Sequence, residues 1–205
     1  MAQRLFLGLI ILFFTGSSIA IDEPKYAVIE KFENFELRAY NSMIVAETKV
    51  SGSLDEASSA GFKVIADYIF GNNTLRTGDS EKVRMTTPVT IAPQSKKISM
   101  TAPVSIKQTE GQWLMHFVMP DEYTLDTLPT PNNPAVSLRK VPVRKYAVIR
   151  FSGFAGETKI AKKTTELMTW LKSKEITPIG EPEIARYNPP WTLPFFRRNE
   201  IMVAY

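Results

Sequence analysis

The chain has 205 residues, of which 44% are hydrophobic and 22% charged, with a formal net charge of +4 and no cysteine. This composition belongs to a globular protein and excludes disulfides, thiolate metal sites and cysteine nucleophiles together. The positive excess is spread over isolated Lys and Arg residues, so the reading includes no nucleic acid partner.

Residues 1–20 have the form of a secretory leader. Arg4 precedes an apolar run over 5–14, and Ser18 and Ala20 are the small residues expected before a cleavage site. The run is shorter than the ~20 residues a spanning helix needs, so cleavage is expected and no stable membrane anchor remains. Losing the leader removes Arg4 alone, which takes the net charge from +4 to +3. Residues 21–205 then form one domain of ordinary size. The expected location is outside the cytoplasm: periplasmic in a bacterium, secreted otherwise.

Strands are expected over 26–32, 35–40 and 43–50, where β-branched and aromatic residues roughly alternate with polar ones. A helix is predicted over 54–70. Ser53 and Glu56 have capping-box spacing, and Leu54, Ala57, Gly61, Val64, Ile65, Tyr68 and Ile69 make one apolar stripe before Gly71-Asn72-Asn73 ends it. Strands follow over 83–91, 97–106 and 112–119, the last with Trp113, Met115, Phe117 and Met119 on one face. Residues 128–134 read as an irregular loop. Further strands over 136–139 and 144–151, a helix over 157–174 and strands over 183–187 and 199–204 complete the chain.

Two internal echoes organise these elements. Residues 45–52 can be laid on 146–153; both strands end in Ser-Gly and run into a helix. Met85-Thr86-Thr87-Pro88-Val89 returns fifteen residues later as Met100-Thr101-Ala102-Pro103-Val104. A proline inside a strand implies a sheet edge or a bulge, and Met85 and Met100 would bring adaptable thioethers to similar places. The fold class is therefore α+β, with mostly antiparallel strands curved or closed around a centre.

The C-terminal segment carries the clearest binding chemistry. Pro189, Pro190 and Pro194 stiffen a loop bearing Trp191, Phe195 and Phe196, followed directly by Arg197 and Arg198. Aromatic faces beside guanidinium groups suit a flat apolar ligand with carboxylate edges. Glu200 opens an apolar final strand; buried, its pKa should rise unless a cation such as Arg198 pairs with it.

The duplicated Met-Thr-Thr/Ala-Pro-Val segments, Phe117-Val118-Met119-Pro120, Leu128-Pro129-Thr130-Pro131, Phe151-Ser152-Gly153 and Tyr187-Asn188-Pro189-Pro190-Trp191 with Arg198-Asn199-Glu200 together resemble the SOUL/heme-binding proteins, in the same order along the mature chain. The resemblance implies a distorted, mostly antiparallel β-barrel flanked by two helices, built by pseudo-two-fold duplication of a β-α-β-β unit. It also implies a non-covalent tetrapyrrole ligand, heme above all, held in an apolar groove. On that reading Trp191, Phe195 and Phe196 pack the ligand, Met85 and Met100 lie nearby, and Arg197 and Arg198 meet propionates. His116, the single histidine, is a candidate axial ligand that matches no family ligand motif.

Catalysis has little support: the chain has no Gly-x-Ser-x-Gly, HExxH, Walker or GxGxxG motif. A binding protein rather than an enzyme is expected. The alternatives are a module for another apolar or cationic small molecule with Glu200 as charge partner, a small hydrolase using Glu36, Glu47 and Glu200, and a protein-interaction surface.

Overall fold

The computed structural model describes residues 23–93 and 112–205. The leader over 1–20, the strand expected over 97–106 and Met100 lie outside the described residues. In chain order the elements are β1 (Tyr26–Phe32), β2 (Phe35–Tyr40), β3 (Met43–Ser51), α1 (Leu54–Ile69), β4 (Asn73–Thr74), β5 (Val89–Pro93), β6 (Gln112–Val118), β7 (Thr130–Pro131), β8 (Ser137–Val141), β9 (Arg144–Phe151), α2 (Glu157–Ser173), β10 (Ile179–Arg186) and β11 (Asn199–Ala204). A 3₁₀ turn at Pro194–Phe196 interrupts the loop between β10 and β11.

Among the described residues one large antiparallel sheet runs β1-β2-β9-β11-β10-β5-β6-β3-β8, and β4 pairs with β7 in a small ribbon. The order is linear, with β1 and β8 as free edges. Among the described residues the sheet is thus open, and the closed barrel expected from the resemblance is not confirmed. Six of its inner strands read β9-β11-β10 from one side and β3-β6-β5 from the other. Each half places its first strand outermost and its third in the middle, with a helix after the first. That is the arrangement the Ser-Gly echo implied. Gly52 and Gly153, the two echoed glycines, both hold positive φ, +116° and +90°, a region that β-carbon sterics close to most residues.

Both helices cover the same face. Ser53 Oγ accepts from the Glu56 amide while Glu56 Oε2 accepts from the Ser53 amide at 2.9 Å, so the capping box forms as read. Leu54, Ala57, Ile65, Tyr68 and Ile69 of α1 join Ala46, Met115 and Phe117 of the sheet in the main core. Leu167, Trp170 and Leu171 of α2 join Leu37, Ala147, Ile149 and Ile201. Trp170 of α2 stacks on Phe35 with ring centroids 4.9 Å apart.

Prolines shape the departures. Pro88 lies before β5 and not within a strand, so the segment 83–88 is an irregular buried approach. β5 itself is interior, between β10 and β6, so of the two expectations, a sheet edge or a bulge, the edge is not met. β10 starts earlier than expected because the register shifts between Ile179 and Glu183, a bulge that accommodates Pro182.

Candidate functional site

Beyond the buried Tyr187, the segment between β10 and β11 carries its large side chains outside the core. Trp191 is 84% exposed, Phe195 65% and Phe196 69%, joined by Leu193 and by Phe154 of the β9–α2 loop. Solitary apolar side chains on a surface are ordinary, but five large ones concentrated on two adjoining loops form an exposed apolar patch. The two loops are bound together by Gly153 N–H donating to Pro194 O at 2.8 Å and Asn199 Nδ2 donating to Gly153 O at 3.0 Å. The Phe195 and Phe196 rings lie 4.5 Å apart. The aromatic surface is therefore preformed, with little conformational entropy left to lose on binding.

The arginines behind it have specific duties. Arg197 donates from Nε to Thr192 O at 2.7 Å and from Nη2 to Pro190 O, and its guanidinium lies 4.9 Å from the centre of the Phe154 ring. It holds the loop's shape while keeping a charge at the aromatic surface. Arg198 is committed elsewhere. It donates to Glu200 at 2.9 Å and to both oxygens of Glu23 at 3.0 Å, and stacks over the Tyr187 ring at 3.7 Å. Arg198, expected to meet a ligand, thus pairs with Glu200 and Glu23 in this structure.

Glu200 is fully buried, and its carboxylate is saturated. Arg38 donates to its two oxygens at 2.8 and 3.0 Å, Tyr187 at 2.7 Å and Arg198 at 2.9 Å, four bonds for about four lone-pair sites. Burial pushes its pKa up, but the Arg38 hydrogen bonds and charge, with Tyr187 and Arg198, overcome that and hold it below the ordinary value. Arg38 continues the chain to Glu36 at 2.7 Å and lies over the Tyr26 ring at 4.4 Å. Glu200 is thus the centre of a structural ion network, with no free side to offer a cationic ligand.

His116 sits on the face opposite the helices. Its Nε2 lies 2.5 Å from Thr90 Oγ1, across a register pair of β5 and β6. Burial first, then the nearby Arg139 charge, lowers its pKa to about 4, so the ring is neutral at ordinary pH. Arg186, next to the aromatic loop, reaches Ser58 of α1 on the helix side, so His116 and the aromatic surface are not brought together. Met85 packs partly buried against the main core.

One titrating acid escaped the sequence reading. Glu183 on β10 is only partly exposed, and burial pushes its pKa up to about 7 against the opposing pull of Tyr146, Arg144 and Arg139. Nothing local in Glu181-Pro182-Glu183 distinguishes the two glutamates; only strand direction sends Glu183 inward. Among the described residues, no group of three His, Cys, Asp or Glu side chains is arranged to hold a metal ion.

Comparison with known proteins agrees with this architecture. Three solved structures resemble the chain at identities that speak for the fold alone. The EcmrR C-terminal domain has 12% identity and a TM-score of 0.57 over 83% of this chain and 95% of that one. EcmrR in its DNA complex has 10% identity and a TM-score of 0.56 over 82% and 56%. A hydrolase from Listeria innocua has 10% identity and a TM-score of 0.53 over 85% and 93%. No curated protein matches the chain. The family model described as SOUL heme-binding protein matches residues 21–96 and 92–204, nearly all of the chain. On that match, carried by both halves of the duplicated fold, the chain belongs to the SOUL heme-binding protein family.

Proposed function

We propose that this protein binds heme or a related tetrapyrrole, without a covalent link, on the aromatic surface built by Trp191, Phe195, Phe196 and Phe154. The carrying observation is that these large side chains are exposed together on a loop whose backbone is pinned by Gly153, Asn199 and Arg197. A macrocycle laid on them would bury apolar surface at roughly 25 cal/mol per Å² while costing little ordering of the protein. Because His116 faces the other side of the sheet, this mode uses no histidine ligand. The leader-like residues 1–20 support an exported carrier or buffer, and the dispersed basic residues support a small-molecule rather than a nucleic acid partner.

A binding role is favoured over hydrolysis because the acids weighed for catalysis are engaged. Glu36 pairs with Arg38 and Lys31, Glu47 with Arg139, and Glu200 with Arg38 and Arg198.

The test is a hemin titration of the chain without residues 1–20, followed by Soret absorbance, beside the variant Phe195→Ser/Phe196→Ser. Saturation at one equivalent, weakened at least tenfold in the variant, is expected. Equal binding by both proteins would move the ligand away from this surface, and no saturable binding would end the tetrapyrrole reading.

A further inference from the structure

The other arginines that the fold draws inward at the end of the sheet have a carboxylate. Arg38 has Glu36 and Glu200, and Arg198 has Glu200 and Glu23. Arg186, at the end of β10, does not. It is partly buried on the helix side of the sheet, and its hydrogen bonds are two long ones to neutral oxygens: Nη1 to Ser58 Oγ at 3.5 Å and Nη2 to Ala155 O at 3.3 Å. Among the described residues no carboxylate lies within ion-pair distance of it. Asp55 is the acid that acts on it from α1, and Arg197 opposes it with like charge.

A guanidinium that is partly desolvated, unpaired and close to a second cation is unfavourable in the empty protein. Its site becomes favourable when an anion enters between the two arginines. The position selects the anion. Ala155, whose carbonyl Arg186 contacts, follows Phe154, and Arg197 lies over the Phe154 ring, so the charge stands at the margin of the aromatic surface.

We infer that Arg186 is the carboxylate clamp of the ligand site, taking one acidic side arm of a flat apolar molecule whose body lies on the aromatic loop, with Arg197 as the second cation. This rests on the tetrapyrrole reading and refines it: the ligand class is a macrocycle with free carboxylates, and the discriminating residue is Arg186 rather than Arg198. Guanidinium geometry favours a carboxylate over a compact halide because its paired donors match two oxygens.

The experiment compares hemin with hemin dimethyl ester, delivered in the same solvent mixture, on the native chain and on Arg186→Gln and Arg186→Lys. The native protein should prefer the free acid by about ten- to a hundredfold, the range of one charge-assisted hydrogen-bond pair. Arg186→Gln should abolish the preference, leave ester affinity within about twofold and not lower the thermal midpoint, since it removes an unpaired charge. Arg186→Lys should keep part of the preference. If the native chain does not distinguish acid from ester, or Arg186→Gln still does, the clamp is refuted while the tetrapyrrole site stands. Equal weakening of acid and ester with a lowered midpoint makes Arg186 structural and also refutes it. Absence of binding by both compounds strikes the underlying reading instead.

Discussion

Replacing Glu200 by Gln tests whether the ion network at the end of β11 holds the fold. The carboxylate is fully buried beside an Arg38 that is 1% exposed, so neither charge has water to fall back on. Removing one partner of a buried pair costs about 3–5 kcal/mol, because the other charge stays behind. Here Arg38 keeps Glu36 at 2.7 Å and glutamine keeps the shape, which argues for the lower end, about 3 kcal/mol. For a domain of this size that is a fall of roughly 6–12 °C in thermal midpoint, read by circular dichroism. The pH dependence has a definite sign. A carboxylate whose folded pKa lies below its ordinary 4.5 stabilises fully above that value and loses its contribution as pH falls through the folded pKa. The native midpoint should therefore drop in acid below about pH 4.5, and Glu200→Gln should flatten that limb. Glu36→Gln, at a carboxylate whose side chain is 15% exposed, should cost less. A Glu200→Gln midpoint within about 2 °C of native at pH 7, or an unchanged acid limb, would refute the argument.

Glu183→Gln should act in the opposite direction. The folded state retains a proton that the unfolded chain releases between pH 4.5 and about 7, so native stability declines across that window and levels above it. The variant should gain about 1–3 kcal/mol at pH 8 and nothing below pH 4, measured by urea unfolding at both; equal effects at both would contradict the assignment. Gly61→Ala should destabilise by about 1–3 kcal/mol, because the added methyl would lie 2.9 Å from Met115 Sδ where α1 meets β6; a neutral urea midpoint would show that Met115 yields freely. His116→Ala should leave the hemin Soret maximum and affinity unchanged, since the ring bonds Thr90 on the other face; a shifted maximum would restore histidine ligation.

Local patterns carried much of the fold. β1, β2, β9 and β11 have the bounds read from alternation, and the capping box at Ser53 placed the start of α1. These elements answer to their own side-chain periodicity and caps. The proline-bearing approach to β5 did not, because whether Thr86 and Thr87 ladder or pack as a loop is decided by neighbours far along the chain, such as the Val118 carbonyl that accepts from Thr86 Oγ1. The open sheet was likewise unreadable: closure depends on whether β1 and β8 meet, a tertiary fact. At the candidate site the exposed aromatics were legible, since three prolines beside them left no periodicity to bury them. The duties of the arginines were not. Arg198 stands next to the aromatic loop in sequence but is drawn to Glu200 and Glu23, and the main partner of Glu200 is Arg38, 162 residues away. Arg186 became visible as a cation without a carboxylate among the described residues only once the fold had set its surroundings.

The most direct test of the central claim places an optical probe at the proposed contact. The chain has three tryptophans, and Trp191 alone lies on the aromatic surface, with Trp113 and Trp170 packed against the main core. In a Trp113→Phe/Trp170→Phe variant, hemin should quench Trp191 emission in step with the Soret change and reach its end at one equivalent. Saturation of the Soret signal with Trp191 emission left largely intact would place the tetrapyrrole elsewhere and contradict the account.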